Sequence, residues 1–515
     1  MTLETFFKKF DTFADAPNAV AKMRELVLAL AIQGKLVEQD ATDESAEKLL
    51  ARIRAQRQQD ASEEGSRAIK PLPPISRDEI PSELPSGWVW ERLGNIGYTN
   101  IGLTYSPQDV GSDGVPVMRS SNIQNGRIDL SDLVRVAVEP KQSVMVEVGD
   151  LLICARNGSR ALVGKTALIE QLTEPTAFGA FMAIFRSDLN KYIYHFICSP
   201  LFRRVIAEVN TTTINQITQG NLRSTLVPIP PLAEQKRIVA KVDELMALCD
   251  RLEAEQQERQ QKHAALARAS LARFAEAPTP ANLNLLFHPS YTIPPTDLRK
   301  SILTLAVQGK LIPYSSAAGE QTVGDHIEFL NGYAFKSEWF KPSGTRLCRN
   351  ANVSHGVLDW KESVFVDGEI TKEFERFKLN EGDIVLSLDR PLIATGLKVA
   401  RMRKSDLPCL LLQRVAKPVP KHDQLDLSYF LMWLNSPQFV DTIDPGRSNG
   451  VPHISTRQVQ SLPFTLPPLA EQRRIVAKVD ELMALVDALE TQLATDRTSA
   501  SHLLDAVVAE LTSAT

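Results

Sequence analysis

The sequence has no run of about 18 uncharged apolar residues, which excludes a membrane-spanning helix. Its five cysteines are scattered and odd in number, so they form neither a disulfide framework nor a zinc knuckle. The eight histidines show no paired ligand spacing, which argues against a histidine metal site. The first residues lack a signal peptide, so we expect a cytoplasmic protein. The net charge of −4 over 515 residues favours neither nucleic acid nor any other partner.

The sequence does contain a long internal repeat. The segment PPLAEQKRIVAKVDELMALCDRLE begins at Pro230 and PPLAEQRRIVAKVDELMALVDALE begins at Pro467, with 21 of 24 positions identical. A looser pair is MRELVLALAIQGKLV from Met23 and LRKSILTLAVQGKLI from Leu298. Offsets of 237 and 275 residues indicate duplicated domains rather than a solenoid of short repeats.

The repeated segments have the pattern of helices. In each long copy two prolines precede the helix, and a glutamate, Glu234 or Glu471, falls in the first turn, at the positive end of the helix dipole. Apolar residues then recur at alternating steps of four and three, which is typical of a coiled-coil seam. The seam comprises Ile238, Val242, Leu245, Cys249 and Leu252 in the first copy, and Ile475, Val479, Leu482, Val486 and Leu489 in the second. Helices of about 43 residues would span roughly 65 Å, and the short helices are predicted to end before Gly34 and Gly309.

Two blocks of nearly equal length, roughly 84–227 and 322–464, lie between the repeated helices. Both contain short β-branched and aromatic runs broken by Gly, Asn and Asp, which predicts strands. We therefore expect an α+β fold in which two β-rich globular domains alternate with two long antiparallel coiled-coil helical regions. The predicted divisions are 1–82 (N-terminal helical region), 83–229 (first globular domain), 230–312 (central coiled-coil helices), 313–466 (second globular domain) and 467–515 (C-terminal helix). If the two ends meet, they rebuild a second copy of the central helices, and the arrangement is circular and pseudo-two-fold.

The two blocks also correspond to each other locally. The segment VEVGDLLICAR aligns with LNEGDIVLSLD through their Gly-Asp turns, and VPVMRSSNIQNGRID aligns with TRLCRNANVSHGVLD. A stretch without acidic residues follows each Gly-Asp turn: 151–169 carries three cations and 390–405 carries five. Such loops suit contacts with phosphates and base edges. A solvated basic rim is the alternative interpretation.

These motifs resemble the DNA-specificity subunit of type I restriction–modification systems. The resemblance covers nearly the whole chain and rests on the duplicated PPLAEQ helix, the duplicated helix ending in QGKL, LPSGWVWERLGNI from Leu84, SSNIQNG from Ser120 and VGKTALI…FGAF from Val163. It implies that each block is a target recognition domain that reads one half of a bipartite asymmetric site on double-stranded DNA. It also implies that the helices set the spacer between the half-sites and dock two methyltransferase subunits, while restriction subunits complete the nuclease. S-adenosylmethionine, ATP and magnesium are then expected on those partners, which carry out adenine methylation and ATP-dependent restriction, and no cofactor is expected in this chain.

Candidate DNA-contacting residues are polar side chains in the matched loops. Asparagine and glutamine can read adenine, and arginine can read guanine. In the first block the candidates are Arg119, Asn122, Arg156, Asn157, Ser159, Lys165, Asn215 and Gln216. In the second block they are Arg349, Asn352, Arg390, Lys398, Arg401, Arg447 and Asn449. For the matched pairs Arg119/Arg349 and Asn122/Asn352 a shared structural turn is the alternative, because identical residues cannot explain different targets.

We expect no catalysis by this chain. The segment from Gly158 to Thr166 resembles a phosphate-binding loop, but five residues separate its glycines where that motif requires four. No Asp/Asn-Pro-Pro-aromatic tetrapeptide of a methyltransferase occurs. The remaining alternative is a coiled-coil scaffold that binds only proteins, since cations and anions balance within each block.

Overall fold

The computed structural model describes residues 16–63, 72–209, 215–314, 320–443 and 453–513. The chain forms two compact units, 1–257 together with 497–515, and 258–496. Helices and strands occur in both, which confirms the predicted α+β class. No helix in the described ranges has the length and apolarity needed to cross a membrane.

The helices differ greatly in length, and two of them dominate. They are α1 (Ala19–Ile32), α2 (Ala46–Glu63), α3 (Leu93–Ile96), α4 (Asn190–Cys198), α5 (Pro200–Val209), α6 (Gln219–Ser224), α7 (Leu232–Glu276), α8 (Pro280–Leu286), α9 (Pro295–Val307), α10 (Val323–His326), α11 (Gly368–Glu373), α12 (Leu427–Leu434), α13 (Pro437–Val440), α14 (Thr456–Gln460) and α15 (Leu469–Ser513). The repeated PPLAEQ segments form α7 and α15, each 45 residues long. Each therefore spans about 68 Å, close to the length predicted from the sequence.

The repeated seam is buried in a core in both copies, the first copy in the first unit and the second copy in the second unit. Ile238, Val242 and Leu245 share a core with α1, and their exposed fractions are 0%, 0% and 5%. The second copy behaves in the same way, because Ile475, Val479, Leu482 and Val486 are buried with α9, and Leu489 packs against that core from its edge, as Leu252 does in the first copy.

One arginine clamp fastens the short helix to the long helix in each unit. Nη2 of Arg24 on α1 donates to Asp250 and Glu253 of α7, both at 2.7 Å. Arg299 of α9 makes the same pair of bonds to Asp487 and Glu490 of α15, both at 2.6 Å. The internal repeat therefore extends from sequence to side-chain geometry.

The short helices end as predicted. The last helical residue of α1 is followed by Gln33 and then Gly34, whose φ of 70° is left-handed. Gly309 follows α9 with a φ of 69°. A glycine at this place turns the chain without a Cβ clash, and the following amide closes the helix end. In the first copy that bond runs from Lys35 N to Leu30 O, at 2.9 Å.

The end of the last long helix completes the first unit. Leu504 and Val507 of α15 belong to the same buried core as Met23 of α1. At the rim of this core, Lys22 Nζ lies 2.5 Å from Asp505 Oδ1. The predicted meeting of the N-terminal helix with the C-terminal helix is therefore confirmed within this unit.

The predicted first-turn glutamate has a further role in the first copy. Glu234 is buried, with 1% of its surface exposed, and its Oε2 accepts a hydrogen bond from Trp88 Nε1 at 3.0 Å. Burial raises the pKa of Glu234 above its ordinary value. This bond ties the segment that opens the first block to the N-terminus of α7.

The strands of the first block form two four-stranded sheets and two small ribbons. They are β1 (Val89–Arg92), β2 (Tyr98–Ile101), β3 (Val110–Gly111), β4 (Val115–Met118), β5 (Ile123–Gln124), β6 (Arg127–Ile128), β7 (Val134–Val136), β8 (Leu151–Cys154), β9 (Thr166–Leu168), β10 (Ala177–Phe178), β11 (Met182–Arg186) and β12 (Leu226–Ile229). One sheet has the order β2-β11-β8-β9 and the other β10-β4-β7-β3. In the second of these sheets, β4 and β10 are parallel.

The second block repeats this topology. Its strands are β13 (Ile327–Asn331), β14 (Thr345–Cys348), β15 (Phe365–Val366), β16 (Lys378–Leu379), β17 (Ile384–Ser387), β18 (Leu392–Ile393), β19 (Gly396–Leu397), β20 (Val399–Arg401), β21 (Cys409–Leu411) and β22 (Val415–Pro420). The sheet β13-β22-β17-β20 matches β2-β11-β8-β9 strand for strand. The sheet β15-β14-β21-β16 again contains one parallel pair, β14 with β21. The two blocks are therefore copies of one scaffold despite their weak sequence similarity.

Candidate nucleic-acid interface

Arg156 is the second residue after β8, where the chain leaves the buried strand and reaches the surface. Its guanidinium carbon is 5.4 Å from the centre of the Phe181 ring, within the range of a cation–π contact. The backbone of Arg156 forms an isolated β-bridge with Gln216. Two of the predicted DNA-contacting residues, Arg156 and Gln216, are thus adjacent although 60 positions separate them in the sequence.

The loop after Arg156 contains two more of the predicted residues, Asn157 and Ser159, and a third, Asn215, is bonded to it. Asn157 Oδ1 accepts a hydrogen bond from Ser159 N at 2.9 Å, and Asn157 Nδ2 is 3.4 Å from Ser120 Oγ. Asn215 Nδ2 donates to Gly158 O at 3.1 Å. Internal bonds therefore hold this loop in a defined shape at the surface.

Two matched lysines, Lys165 and Lys398, differ in their suitability for binding DNA. Lys165 is half-buried beside β8, where its carbonyl accepts from Cys154 N at 2.8 Å. Lys398 is 8% exposed, and its Nζ donates to Asn350 Oδ1 inside the second block. Burial lowers the pKa of Lys398. Contact of Lys398 with DNA stays a prediction, which the structure disfavours because the ammonium group is directed to a partner within the fold.

The other candidates of the second block are dispersed. Arg390 is exposed and has a left-handed φ of 46°. Arg401 lies on β20, where its Nη2 donates to Ser428 Oγ at 2.9 Å, so this guanidinium is engaged within the block. Arg447 and Asn449 lie outside the described residues.

Asn122 builds a turn in the first block. It is 1% exposed, its Oδ1 accepts from Arg119 N at 2.8 Å, and its Nδ2 donates to Asp129 O and Asp132 O, both at 3.0 Å. Arg119 packs over the same turn, with its Nη2 3.6 Å from Asp132 Oδ2. Base reading by Asn122 stays a prediction, which the structure disfavours because this amide is buried and bonded to backbone.

The second block contains the same turn. Asn352 is 1% exposed, accepts from Arg349 N at 3.1 Å, and donates to Asp359 O at 2.9 Å and to Glu362 O at 3.3 Å. Arg349 Nη2 also donates to Glu362 O. Base reading by Asn352 is disfavoured for the same reason, and the structure supports the shared structural turn for both asparagines.

Sequence reasoning missed four residues next to the predicted ones, of which three are exposed and one, Asp389, is nearly buried. Phe181 is 61% exposed beneath Arg156. In the second block, Arg414 Nη1 donates to Asp389 Oδ2 at 2.8 Å, and His453 Nδ1 lies 2.9 Å from Asp389 Oδ1. The alignment through the Gly-Asp turns already pairs Arg156 with Asp389, whereas the contacts of Asp389 with Arg414 and His453 depend on sheet register and are seen only in the structure.

Two copies of one scaffold with different polar residues at the same surface positions define a two-domain specificity protein. A family model for the type I restriction modification DNA specificity domain matches the chain twice, at residues 85–260 and 319–495. The chain belongs to this family of type I restriction–modification specificity subunits.

Several relatives resemble the chain over most of their length. The type I restriction enzyme EcoAI specificity subunit of Escherichia coli is 34% identical, and the alignment covers 95% of this chain and 93% of that protein. The EcoKI specificity subunit of Escherichia coli strain K12 is 28% identical over 83% of this chain and 89% of that protein. A chain from a structural study of type I restriction–modification complex assembly has a TM-score of 0.52 at 19% identity, covering 84% of this chain and 99% of that one. This last similarity supports the fold.

Proposed function

We propose that each block reads one half of a bipartite, asymmetric DNA site and that this chain itself carries out no catalysis. The observation that supports this is the duplication of the whole reading scaffold, down to the matched sheet β2-β11-β8-β9 and β13-β22-β17-β20. Two similar scaffolds with different surface residues suit two dissimilar half-sites. Mapping of methylated sites in cells with and without the gene tests this proposal. The expected result is a split motif that disappears with the gene.

The partners follow from the same proposal. Two methyltransferase subunits dock on the helical regions and bind S-adenosylmethionine for adenine methylation. Restriction subunits supply the ATP- and magnesium-dependent cleavage, and the assembly acts on DNA in the cytoplasm. Retention on specific DNA that depends on salt and requires the methyltransferase subunits supports this assignment. Assembly with those subunits but no dependence on DNA would support a protein-binding scaffold instead.

The long helices set the spacer between the half-sites in this proposal. Two readers on one face of a duplex need half-sites about one turn apart, roughly 34–36 Å. Helices of 45 residues are stiff enough to fix such a separation, whereas a flexible linker is not.

Insertion of one heptad into both α7 and α15 tests the spacer role. Seven residues preserve the phase of the seam and add about 10.5 Å per helix, or about three base pairs at 3.4 Å each. We expect the methylated motif to keep both half-sites and to gain about three base pairs of spacer. A control that replaces seven residues with the same heptad keeps the helix length and the spacer. An unchanged spacer in the insertion variant would refute this role.

A further inference from the structure

We propose that three matched surface positions determine which bases each block reads, and this inference rests on the proposed function. The positions carry a first cluster and a second cluster of side chains. The first cluster is Arg156, Phe181 and Gln216, and the second cluster is Asp389, Arg414 and His453.

Backbone hydrogen bonds show that the positions are equivalent. Ala155 N donates to Phe181 O at 2.9 Å in the first block, and Leu388 N donates to Arg414 O at 2.8 Å in the second. The residue that follows the third member of each cluster is also bonded to the same strand end in both blocks. Ile217 N donates to Ala155 O at 2.8 Å, and Ile454 N donates to Leu388 O at 3.0 Å. The isolated bridges also match, since Arg156 pairs with Gln216 and Asp389 pairs with His453.

The side chains on this shared backbone differ in charge and in size. A cation in the first block, Arg156, is replaced by an anion in the second, Asp389. An exposed aromatic ring, Phe181, is replaced by Arg414, whose side chain is 65% exposed. Elsewhere the blocks keep their structural residues, such as the buried Asn122 and its counterpart in the second block. Different side chains on one matched backbone frame that reaches the surface are the pattern expected of residues that distinguish targets.

Each cluster holds one arginine in a fixed position at the surface. The arginine occupies the first position in the first cluster and the second position in the second cluster. In the first cluster the Phe181 ring supports Arg156. In the second cluster Asp389 binds Arg414 through one carboxylate oxygen and faces His453 with the other, and only 13% of the Asp389 side chain is exposed. Asp389 is therefore a positioning residue, and Arg414 is the group that faces outward.

An arginine held in this way is suited to guanine. Its two donors match the O6 and N7 acceptors in the major groove, and fixing the side chain beforehand lowers the entropy cost of binding. The Arg156 and Arg414 side chains are themselves exposed, and contacts of exposed charged side chains contribute little to folding. We infer that Arg156 and Arg414 each read a guanine, at different places in their respective half-sites, and that Phe181 adds an apolar contact beside the first.

The test uses the full-length chain with its methyltransferase subunits in cells and maps methylated motifs. Arg156→Gln and Arg414→Gln are compared with Arg77→Gln and Arg376→Gln, which change exposed arginines outside the clusters in the first and second unit. Each cluster variant is expected to lose methylation at the original sites by about tenfold to one-hundredfold. Each should also accept a different base in one half-site only, while the control variants keep the original motif.

An exchange variant sharpens the test. The double substitution Arg156→Asp with Phe181→Arg places the second cluster's pair on the first scaffold, and it should change only the half-site read by the first block. Co-purification with the methyltransferase subunits and an unchanged thermal unfolding midpoint establish that each variant is folded. A variant that unfolds is replaced by Arg156→Lys or Arg414→Lys, which keeps the positive charge but cannot form the two parallel hydrogen bonds of a guanidinium group.

Folded variants that retain the original bases in both half-sites would overturn the inference and leave the proposed function intact. Absence of any split motif with the unaltered chain would instead refute the proposed function.

Discussion

Leu504→Ala tests whether the end of α15 stabilises a unit built mainly from the first half of the chain. Leu504 is 0% exposed and belongs to the core that contains Met23 and Val27 of α1. Truncating a fully buried leucine costs about 2–5 kcal/mol, because apolar burial is lost and a cavity remains. Alanine and leucine are similar helix formers, so the helix itself contributes little to the change.

The neighbouring residue provides a matched control. Leu503 is on the same helical turn but is 44% exposed, so Leu503→Ala should change the free energy of unfolding by less than about 1 kcal/mol. Urea unfolding measures both variants, and hydrogen exchange locates the effect. Faster exchange is expected in α1, which belongs to the same unit, for Leu504→Ala alone. Equal destabilisation by the two variants, or an effect confined to residues 258–496, would contradict the assignment of this segment to the first unit.

Three further predictions concern buried polar groups. Burial lowers the pKa of His195 from 6.5 to about 4, so the first unit should be fully stable above pH 6.5 and its free energy of unfolding should fall by up to about 3 kcal/mol as the pH falls to 4. His195→Gln should remove this pH dependence in unfolding experiments. The raised pKa of Glu234 means that its ionised form opposes folding, so Glu234→Gln should raise stability at neutral pH. Its advantage over the unaltered chain should shrink as the pH falls through that pKa and vanish below the ordinary value of 4.5. Asn352→Ala leaves the Arg349 amide and the Asp359 carbonyl of its turn unpaired, while Glu362 O keeps its bond from Arg349, so the variant should cost about 2–3 kcal/mol by urea unfolding while methylation mapping shows the same motif.

Sequence reasoning predicted the helical framework well, because the signals involved are local. The seam spacing, the prolines before α7 and α15, and Gly34 and Gly309 after the short helices each act within a few turns of chain. The duplication added long-range information, since it predicted that the ends of the chain would rebuild the central helices.

The candidate site could be predicted only in part, because residue type does not show where a side chain points. Asn122 and Lys398 have suitable chemistry for DNA, but the first is bonded to a turn and the second faces the interior. Asp389, Arg414 and His453 are brought together by sheet register across many positions, which no local pattern encodes.

The position of Leu504 and Val507 in the first unit affects how the protein folds while it is being synthesised. The second unit is one continuous segment, 258–496, and can close before the first, although its residues leave the ribosome later. The first unit keeps an apolar face of α1 open until translation has passed Val507. A chain truncated before Val507 would expose that face. Chaperones and proteases would then remove the incomplete product before it could bind partner proteins.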